Sequence, residues 1–311
     1  MLTLGIDTSN YTTSVAVYNG SEVFQNKLLL PVKDGEKGLR QSDAVFHHTA
    51  RLYPVFEELL SGINGDITSI GVSEKPRDAD GSYMPCFLVG VNAAHCIASA
   101  MKKPVYGFSH QAGHIAAALY SADCLDLVSQ RFIAFHVSGG TTEMLLVSPD
   151  KERGFAVEII GETTDLNCGQ VIDRAGVMMG LAFPCGKEIE RLALESDRTY
   201  NPKICVKGGN CSLSGVENQC KKMLADGEQK ENIARYCLDF AGKTIEKMTE
   251  YAISEYGNLP LVYAGGVMSD VIIKDRIQSK FNAEFAKPEF SCDNAAGVAV
   301  LAYLKEAGAL G

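Results

Sequence analysis

The apolar positions of this chain open on a pattern that returns halfway along. Leu4-Gly5-Ile6 and Ser14-Val15-Ala16-Val17 read as strands, separated by the polar stretch Asp7–Thr13. At 132–147 the order repeats. Ile133-Ala134-Phe135-His136-Val137 is strand-like, Ser138-Gly139-Gly140-Thr141-Thr142 is a small polar turn, and Met144-Leu145-Leu146-Val147 is apolar again. An apolar strand, a hydroxylated turn and a second apolar strand, occurring twice, form an internal repeat. The repeat predicts two domains of like topology, each opening on the same hairpin. Turns of this composition present N–H groups and hydroxyls that suit a phosphate or a carboxylate.

Between the two hairpins the rhythm alternates. Phe46, Ala50, Leu52, Tyr53, Phe56, Leu59 and Leu60 follow a helical period and predict a helix over 43–62. A short strand is expected at 67–72, a buried alanine-rich helix at 87–101 and a strand at 104–107. Beyond the second hairpin, helices are expected at 171–180, 187–194 and 231–257, a loop at 195–210, a strand at 260–266 and a last helix at 293–308. Strands alternating with helices make this an α/β protein. The expected division is 1–120 and 121–311, with the last helix packing back on the first domain.

Composition narrows the class. The chain has 311 residues, 46% hydrophobic and 22% charged, ordinary for a globular protein and enough for two domains. No apolar run reaches the roughly 18–20 residues of a membrane span, and the N-terminus reads as a strand rather than a leader. The ten cysteines of so large a chain are expected to be reduced, in a cytoplasmic protein. A net charge of −9 argues against a broad nucleic-acid surface on this chain alone, so any nucleic-acid substrate would be carried with help from partner subunits.

Among only six histidines, His110 and His114 stand four apart in a predicted helix, where residues i and i+4 share a face. Two imidazoles so placed can hold a transition metal with open positions, or they can be ordinary surface or core residues. Asp173 falls on the helix that follows a loop, where a carboxylate would accept from ribose hydroxyls or else face solvent. Gly186 follows Phe183-Pro184-Cys185 in a turn that admits a nucleotide or is a plain loop. Gly265-Gly266 ends a strand ahead of Asp270, the geometry of a ligand site at a strand's carboxyl end or of a tight turn. Asp293 or Ser291 is a natural N-cap for the last helix. His47, His48 and His95 are read as structural, and Cys292 as a packed thiol.

Taken in order, these motifs resemble the TsaD/Gcp family, threonylcarbamoyl transferases once described as O-sialoglycoprotein endopeptidases. The likeness runs through Leu4–Ser9, His48, His110–His114, Val137–Gly140, Gly161-Glu162-Thr163 with Asp165, Gly169 and Asp173, Pro184 with Gly186, Ser212–Gly215, Ala264–Val267 and Asp293–Ala295. It implies two actin-like ATPase domains of like topology with a nucleotide cleft between them. It implies one divalent metal, iron or zinc, on His110, His114 and Asp293. His136 stands where archaeal and eukaryotic relatives place a metal-binding Tyr, and would be a fourth ligand. It implies that ATP, AMP or threonylcarbamoyl-AMP is held by residues from His136 to Gly140 (Val137, Ser138, Gly139, Gly140), with Asp173, Gly186 and Asp270. The implied partners are tRNA and subunits of the TsaB/TsaE type, with no membrane.

The chain also departs from that family. Tyr11-Thr12 replaces an Asp-Glu pair, and Lys75–Ser82 replaces a Gly-Pro-Gly-Leu loop. Asp165-Leu166-Asn167-Cys168-Gly169-Gln170 loses one carboxylate of an Asp pair and a glutamate, Glu217 replaces a Lys, and Asp270 replaces an Asn. The metal shell is kept better than the acceptor side, the pattern of a paralogue with altered substrate or activity. The leading expectation is a metal-dependent transferase moving a threonylcarbamoyl or carbamoyl group from an acyl-adenylate to N6 of a tRNA adenosine. The alternatives are carbamoyl transfer to a small hydroxylated metabolite and a non-catalytic nucleotide-binding scaffold for a true family member. No His-Glu-x-x-His helix supports a protease.

Overall fold

The computed structural model describes residues 1–9, 11–31, 39–292 and 294–310. The chain forms two compact units. The first comprises Met1–Gln130, Ser148–Ala156 and the stretch from Glu289 onward; the second comprises Arg131–Val147 and Val157–Pro288.

The first unit contains β1 (Leu2–Asp7), β2 (Thr12–Tyr18), β3 (Val23–Leu29), α1 (Gln41–Leu60), β4 (Ile67–Lys75), α2 (Phe87–Met101), β5 (Val105–Ser109) and α3 (His110–Ser121). Its sheet has the order β3-β2-β1-β4-β5. β1 runs antiparallel to β2 and parallel to β4, and β4 runs parallel to β5. Every residue of β2 is buried, because helices cover both faces of the sheet.

The second unit contains β6 (Phe132–Val137), the larger parts of β7 (Thr142–Asp150) and β8 (Gly154–Glu162), α4 (Cys168–Met178), α5 (Gly186–Leu194), β9 (Cys205–Lys207), β10 (Asn210–Ser212), α6 (Gly215–Ala225), α7 (Lys230–Tyr256), β11 (Leu261–Ala264), α8 (Val271–Gln278) and β12 (Ala283–Phe285). Its sheet order, β12-β11-β6-β7-β8, is the first sheet's order read from the other edge. Again the opening hairpin is antiparallel and the later strands join it in parallel. The repeat read from the sequence is therefore a repeat of topology. α7 supplies the core with Ile233, Cys237, Leu238, Phe240, Ile245 and Met248.

The last helix, α9 (Ala296–Glu306), packs on α3, β1, β2 and β4 of the first unit. The fit demands glycine on both sides. A methyl group on Gly5 or Gly71 would run into α9 backbone, and one on Gly297 would run into the carbonyl of Gly113. The Ala- and Val-rich sequence of α9 follows from burial on these surfaces, since Val298, Ala299, Val300, Leu301 and Ala302 are all fully covered.

Four expectations need correction. The stretch 195–210 is not wholly loop: β9 and β10 form a short hairpin there. α2 is not buried all round, and its His95 is exposed. Cys292 is exposed rather than packed, and the Lys27 ammonium donates to its Sγ at 3.0 Å. β3, β8 and α6 have no counterpart in the sequence reading. β3 alternates weakly because it is an edge strand, and α6 buries only Val216 and Cys220 on an otherwise polar helix. All ten cysteines are free. Among the described residues no helix is long and apolar enough to cross a membrane.

Candidate functional site

β5 ends at Ser109, whose hydroxyl accepts from the Ala112 N–H at 3.2 Å and caps α3. The cap starts the helix on His110, so His114 lies one turn on, on the same face. Their Nε2 atoms face one another at 2.9 Å, with the rings edge-on at 4.3 Å between centroids.

The other nitrogen of His110 is held from behind. Its Nδ1 lies 2.8 Å from Oδ2 of Asp7, at the end of β1. The Ser73 hydroxyl on β4 donates to the same carboxylate oxygen. Oδ1 accepts from the Ser9 N–H at 2.8 Å and from the Ser9 hydroxyl at 2.5 Å. Asp7 is 1% exposed. Burial alone would push its carboxyl up, but the His110 charge and the His110, Ser73 and Ser9 hydrogen bonds reverse this and hold it below the usual carboxylate range. Asp7 was read in the sequence only as part of a polar turn. No local pattern marks it as the partner of His110.

Ser9 Oγ is also 3.4 Å from His110 Nε2, so Asp7, His110 and Ser9 superficially resemble a hydrolase triad. The hydrogen-bond directions argue otherwise. The Ser9 hydroxyl points its proton at Asp7, and the nearer neighbour of Nε2 is His114. A serine nucleophile needs its proton on the histidine. The first turn does not offer its hydroxyls to a phosphate either. Thr8 Oγ1 donates to the Cys86 carbonyl at 2.9 Å and accepts from the Gly90 N–H at 3.0 Å, inside the core.

The donor set fits a metal in its chemistry. Two imidazole nitrogens suit zinc or iron, and 2.9 Å lies within the span that two bonds of about 2.0–2.1 Å to one ion allow. Among the described residues no group of three His, Cys, Asp or Glu side chains converges as a metal site. Asp293, the third ligand that the resemblance implies, lies outside the described residues. Its neighbours belong to the entry of α9: Asn294 Oδ1 accepts from the Ala296 N–H at 3.0 Å, and the Ala295 N–H donates to Ser14 Oγ at 2.9 Å. His136 is carried by the second unit, on β6, opposite Glu143 on β7 and Ala264 on β11. His48 is a core residue, bonded through Nδ1 to Thr13 Oγ1 at 2.8 Å.

The second unit builds a cavity of about 690 Å³, of the size that takes a nucleotide. Gly139, from the turn after β6, lines it beside Gln170, Asp173 and Arg174 of α4. Val177, Met178 and Phe183 make an apolar wall, and Glu217 and Lys221 of α6 close the side. The turn is rigid: the Ser138 carbonyl accepts from Gly169 N–H at 3.0 Å, and Asn167 Nδ2 donates to the Gly140 carbonyl at 2.9 Å. A side chain on Gly169 would strike the backbone of Gly139, whereas Gly139 and Gly140 face open space. Asp173 Oδ1 accepts from the Cys185 N–H at 2.7 Å, fixing the carboxylate against the start of α5. Glu217 accepts from Arg174 at 3.0 Å and from Lys221 at 2.8 Å, and these cations hold its carboxyl below the usual range.

The remaining expected nucleotide residues lie off the cavity wall. Val137, Ser138, Gly140 and Gly186 are not among its lining residues, although Gly186 faces open space. Asp270 is buried at the start of α8, where its Oδ1 accepts from the Ile273 N–H at 3.0 Å. Burial, with help from the Glu190 charge, raises its carboxyl to about 7 against the pull of the Ile273 and Ile272 N–H groups.

Comparisons with known proteins agree with this architecture. The family model of TsaD, tRNA N6-adenosine threonylcarbamoyltransferase, matches residues 33–300. A tRNA N6-adenosine threonylcarbamoyltransferase of Staphylococcus aureus strain bovine RF122 / ET3-1 is 32% identical over 99% of this chain and 93% of its own length. Its counterpart in strain Newman is 31% identical over the same shares. Among solved structures, component A of the (R)-2-hydroxyglutaryl-CoA dehydratase of Acidaminococcus fermentans superposes with a TM-score of 0.54 at 14% identity, over 99% of each chain. Full-length HypF does so with a TM-score of 0.59 at 13% identity, over 98% of this chain and 55% of that one. At such identities these two speak for the fold alone, that of the actin-like ATPases. From the motif order, the doubled sheet topology and the sequence match along almost its whole length, the chain belongs to the TsaD family of tRNA N6-adenosine threonylcarbamoyltransferases.

Proposed function

We propose that this chain transfers a threonylcarbamoyl group from threonylcarbamoyl-adenylate to the N6 amine of a tRNA adenosine, with one divalent ion, iron or zinc, held by His110 and His114. The observation that carries this reading is the convergence of the two Nε2 atoms at 2.9 Å, with a buried carboxylate behind one of them. Metal-binding imidazoles characteristically donate their other N–H to such a partner. Asp293 is the third ligand and His136 a fourth on this reading, by resemblance to the family. A bound ion supplies Lewis-acid polarisation of a carbonyl and orients the leaving group.

On the same reading, Gly139, which faces open space, would let a nucleotide approach backbone, and Asp173, pinned by Cys185, would accept from ribose hydroxyls. Val177, Met178 and Phe183 provide an apolar surface for a base. In the transfer the N6–carbonyl bond forms and the carbonyl–phosphate oxygen bond breaks. AMP leaves with that electron pair, and the amine loses one proton. Partners of the TsaB/TsaE type would add to the tRNA-binding surface, since a net charge of −9 argues against a broad one on this chain alone.

A second reading, carbamoyl transfer to a small hydroxylated metabolite, draws on one observation. The divergent loop Lys75–Ser82 touches the metal-binding helix directly, its Pro76 carbonyl accepting from the Gln111 N–H at 3.1 Å. Mass spectrometry of tRNA nucleosides from cells in which this protein replaces the resident enzyme separates the two. Threonylcarbamoyladenosine is expected. Its absence, with the protein expressed and metal-loaded, removes the tRNA reading.

A further inference from the structure

We infer that Asp7 is a positioning residue that fixes the His110 ring with a proton on Nδ1, so that the neutral ring a metal requires presents its bare Nε2. The inference deepens the proposed function and rests on its metal reading for its second half; the first half concerns the ring alone.

The argument begins with accounting at a buried anion. An ionised carboxylate only accepts hydrogen bonds, and it can take about four. Asp7 has four donors around it: the N–H and hydroxyl of Ser9 on one oxygen, and the Ser73 hydroxyl and His110 Nδ1 on the other. A carboxylate removed from water is expensive unless each oxygen is so paired. An ionised carboxylate has no proton to give, so the 2.8 Å contact between Oδ2 and Nδ1 requires that nitrogen to be the protonated one. The assignment holds whether or not an ion is bound.

The hydroxyls beside it reinforce the choice. Ser9 is bonded to Oδ1 at 2.5 Å, so its proton is not available to Nε2, 3.4 Å away. The Nε2 of His114 lies closer, at 2.9 Å. The ring is therefore oriented by three separate elements: Asp7 from β1, Ser73 from β4, and the α3 backbone capped by Ser109. His110 itself is only 12% exposed, which keeps water from competing for either nitrogen.

Replacing Asp7 by Asn gives the inference its sharpest consequence. If the amide oxygen keeps the two Ser9 donors, the amide NH2 turns to His110 and donates to Nδ1. The proton then moves to Nε2, and the ligand lone pair is lost. A residue that merely filled space would cause no such reversal.

The test uses the full chain, stripped of metal, with histidine labelled in nitrogen-15 and observed at about pH 8. Long-range proton–nitrogen correlation is expected to show His110 of the wild type protonated on Nδ1, and of Asp7→Asn on Nε2. Calorimetric titration with zinc, and with iron(II) under anaerobic conditions, is expected to show affinity about 10- to 100-fold weaker in Asp7→Asn. Ser73→Ala, which leaves the carboxylate in place, is expected to keep the wild-type tautomer and lose less affinity. It also serves if Asp7→Asn fails to fold. A wild-type His110 protonated on Nε2 overturns the inference, as does an Asp7→Asn protein that folds with unchanged tautomer and affinity. A wild type with the expected tautomer that binds neither ion overturns the metal reading, and with it the second half of the inference, while the first half is upheld.

Discussion

Gly297, at the start of α9, lies against the backbone carbonyl of Gly113, the residue just before His114 in α3. The helices meet there without side chains between them. The contact ties the C-terminal helix to the turn that carries the candidate metal ligands.

The two glycines differ in what a methyl group would meet. On Gly297 it strikes backbone, which cannot swing aside, whereas on Gly113 it meets the Val298 side chain at 3.2 Å. Gly297→Ala is expected to destabilise the protein by about 1–3 kcal/mol or more, and Gly113→Ala by clearly less. Urea unfolding of both variants checks the order.

His110→Ala and His114→Ala are each expected to abolish stoichiometric zinc or iron, measured by elemental analysis after dialysis, and to remove threonylcarbamoyl transfer with it. His136→Ala, measured in the same way, decides whether the second unit contributes a ligand. On the proposed reading its metal content falls; unchanged content would remove His136 from the set.

Asp165 gathers the loop before α6: it accepts from Ser212 Oγ at 2.7 Å, Leu213 N–H at 2.8 Å and Ser214 N–H at 3.1 Å. Partial burial works to raise its carboxyl, but these bonds dominate and hold it well below the usual carboxylate range. Its folded-state pKa is thus depressed, so its stabilisation is present above the unfolded value of about 3.9 and is lost as pH falls through the folded value. Asp165→Asn is expected to lose about 1 kcal/mol at neutral pH, a modest figure because the group is exposed and screened. The gap from wild type should narrow once the pH drops below about 4. Denaturant midpoints at several pH values provide the measurement.

Asp270 behaves in the opposite sense. Burial raises its folded-state pKa to about 7, above the unfolded value, so the native state binds the proton more tightly between the two. Stability then declines as pH rises from about 4 to about 7 and is flat beyond. Asn keeps the helix cap without the buried charge. Asp270→Asn is therefore expected to be more stable than wild type above pH 7, by up to roughly 4 kcal/mol for a shift of that size, with no advantage near pH 4. A wild-type curve parallel to that of the variant would remove the effect.

Much of the fold was legible along the chain. The repeated strand–turn–strand pattern corresponds to the paired hairpins β1–β2 and β6–β7, and α7 at 230–256 lies within a residue of its expected span of 231–257. These features declare themselves through local periodicity. β8 escaped because the alternation in Gly154–Glu162 is interrupted by exposed Glu158 and Ile159. Asp270 was readable as a carboxylate near a glycine turn, but its burial as a helix cap depends on how α8 packs.

The candidate site divides along the same line. Amino-acid sequence alone determined that His110 and His114 share a helical face, because spacing of i and i+4 needs nothing beyond the helix itself. The order of motifs also singled out Gly139 and Asp173 together, and both line one cavity of the second unit. Only the tertiary structure decided that Asp7 stands behind His110. That contact requires β1, β4 and β5 to lie side by side in parallel, joining residues about a hundred positions apart. Strand pairing of that kind is set by packing of whole elements against a common core, and no short stretch of the chain records it.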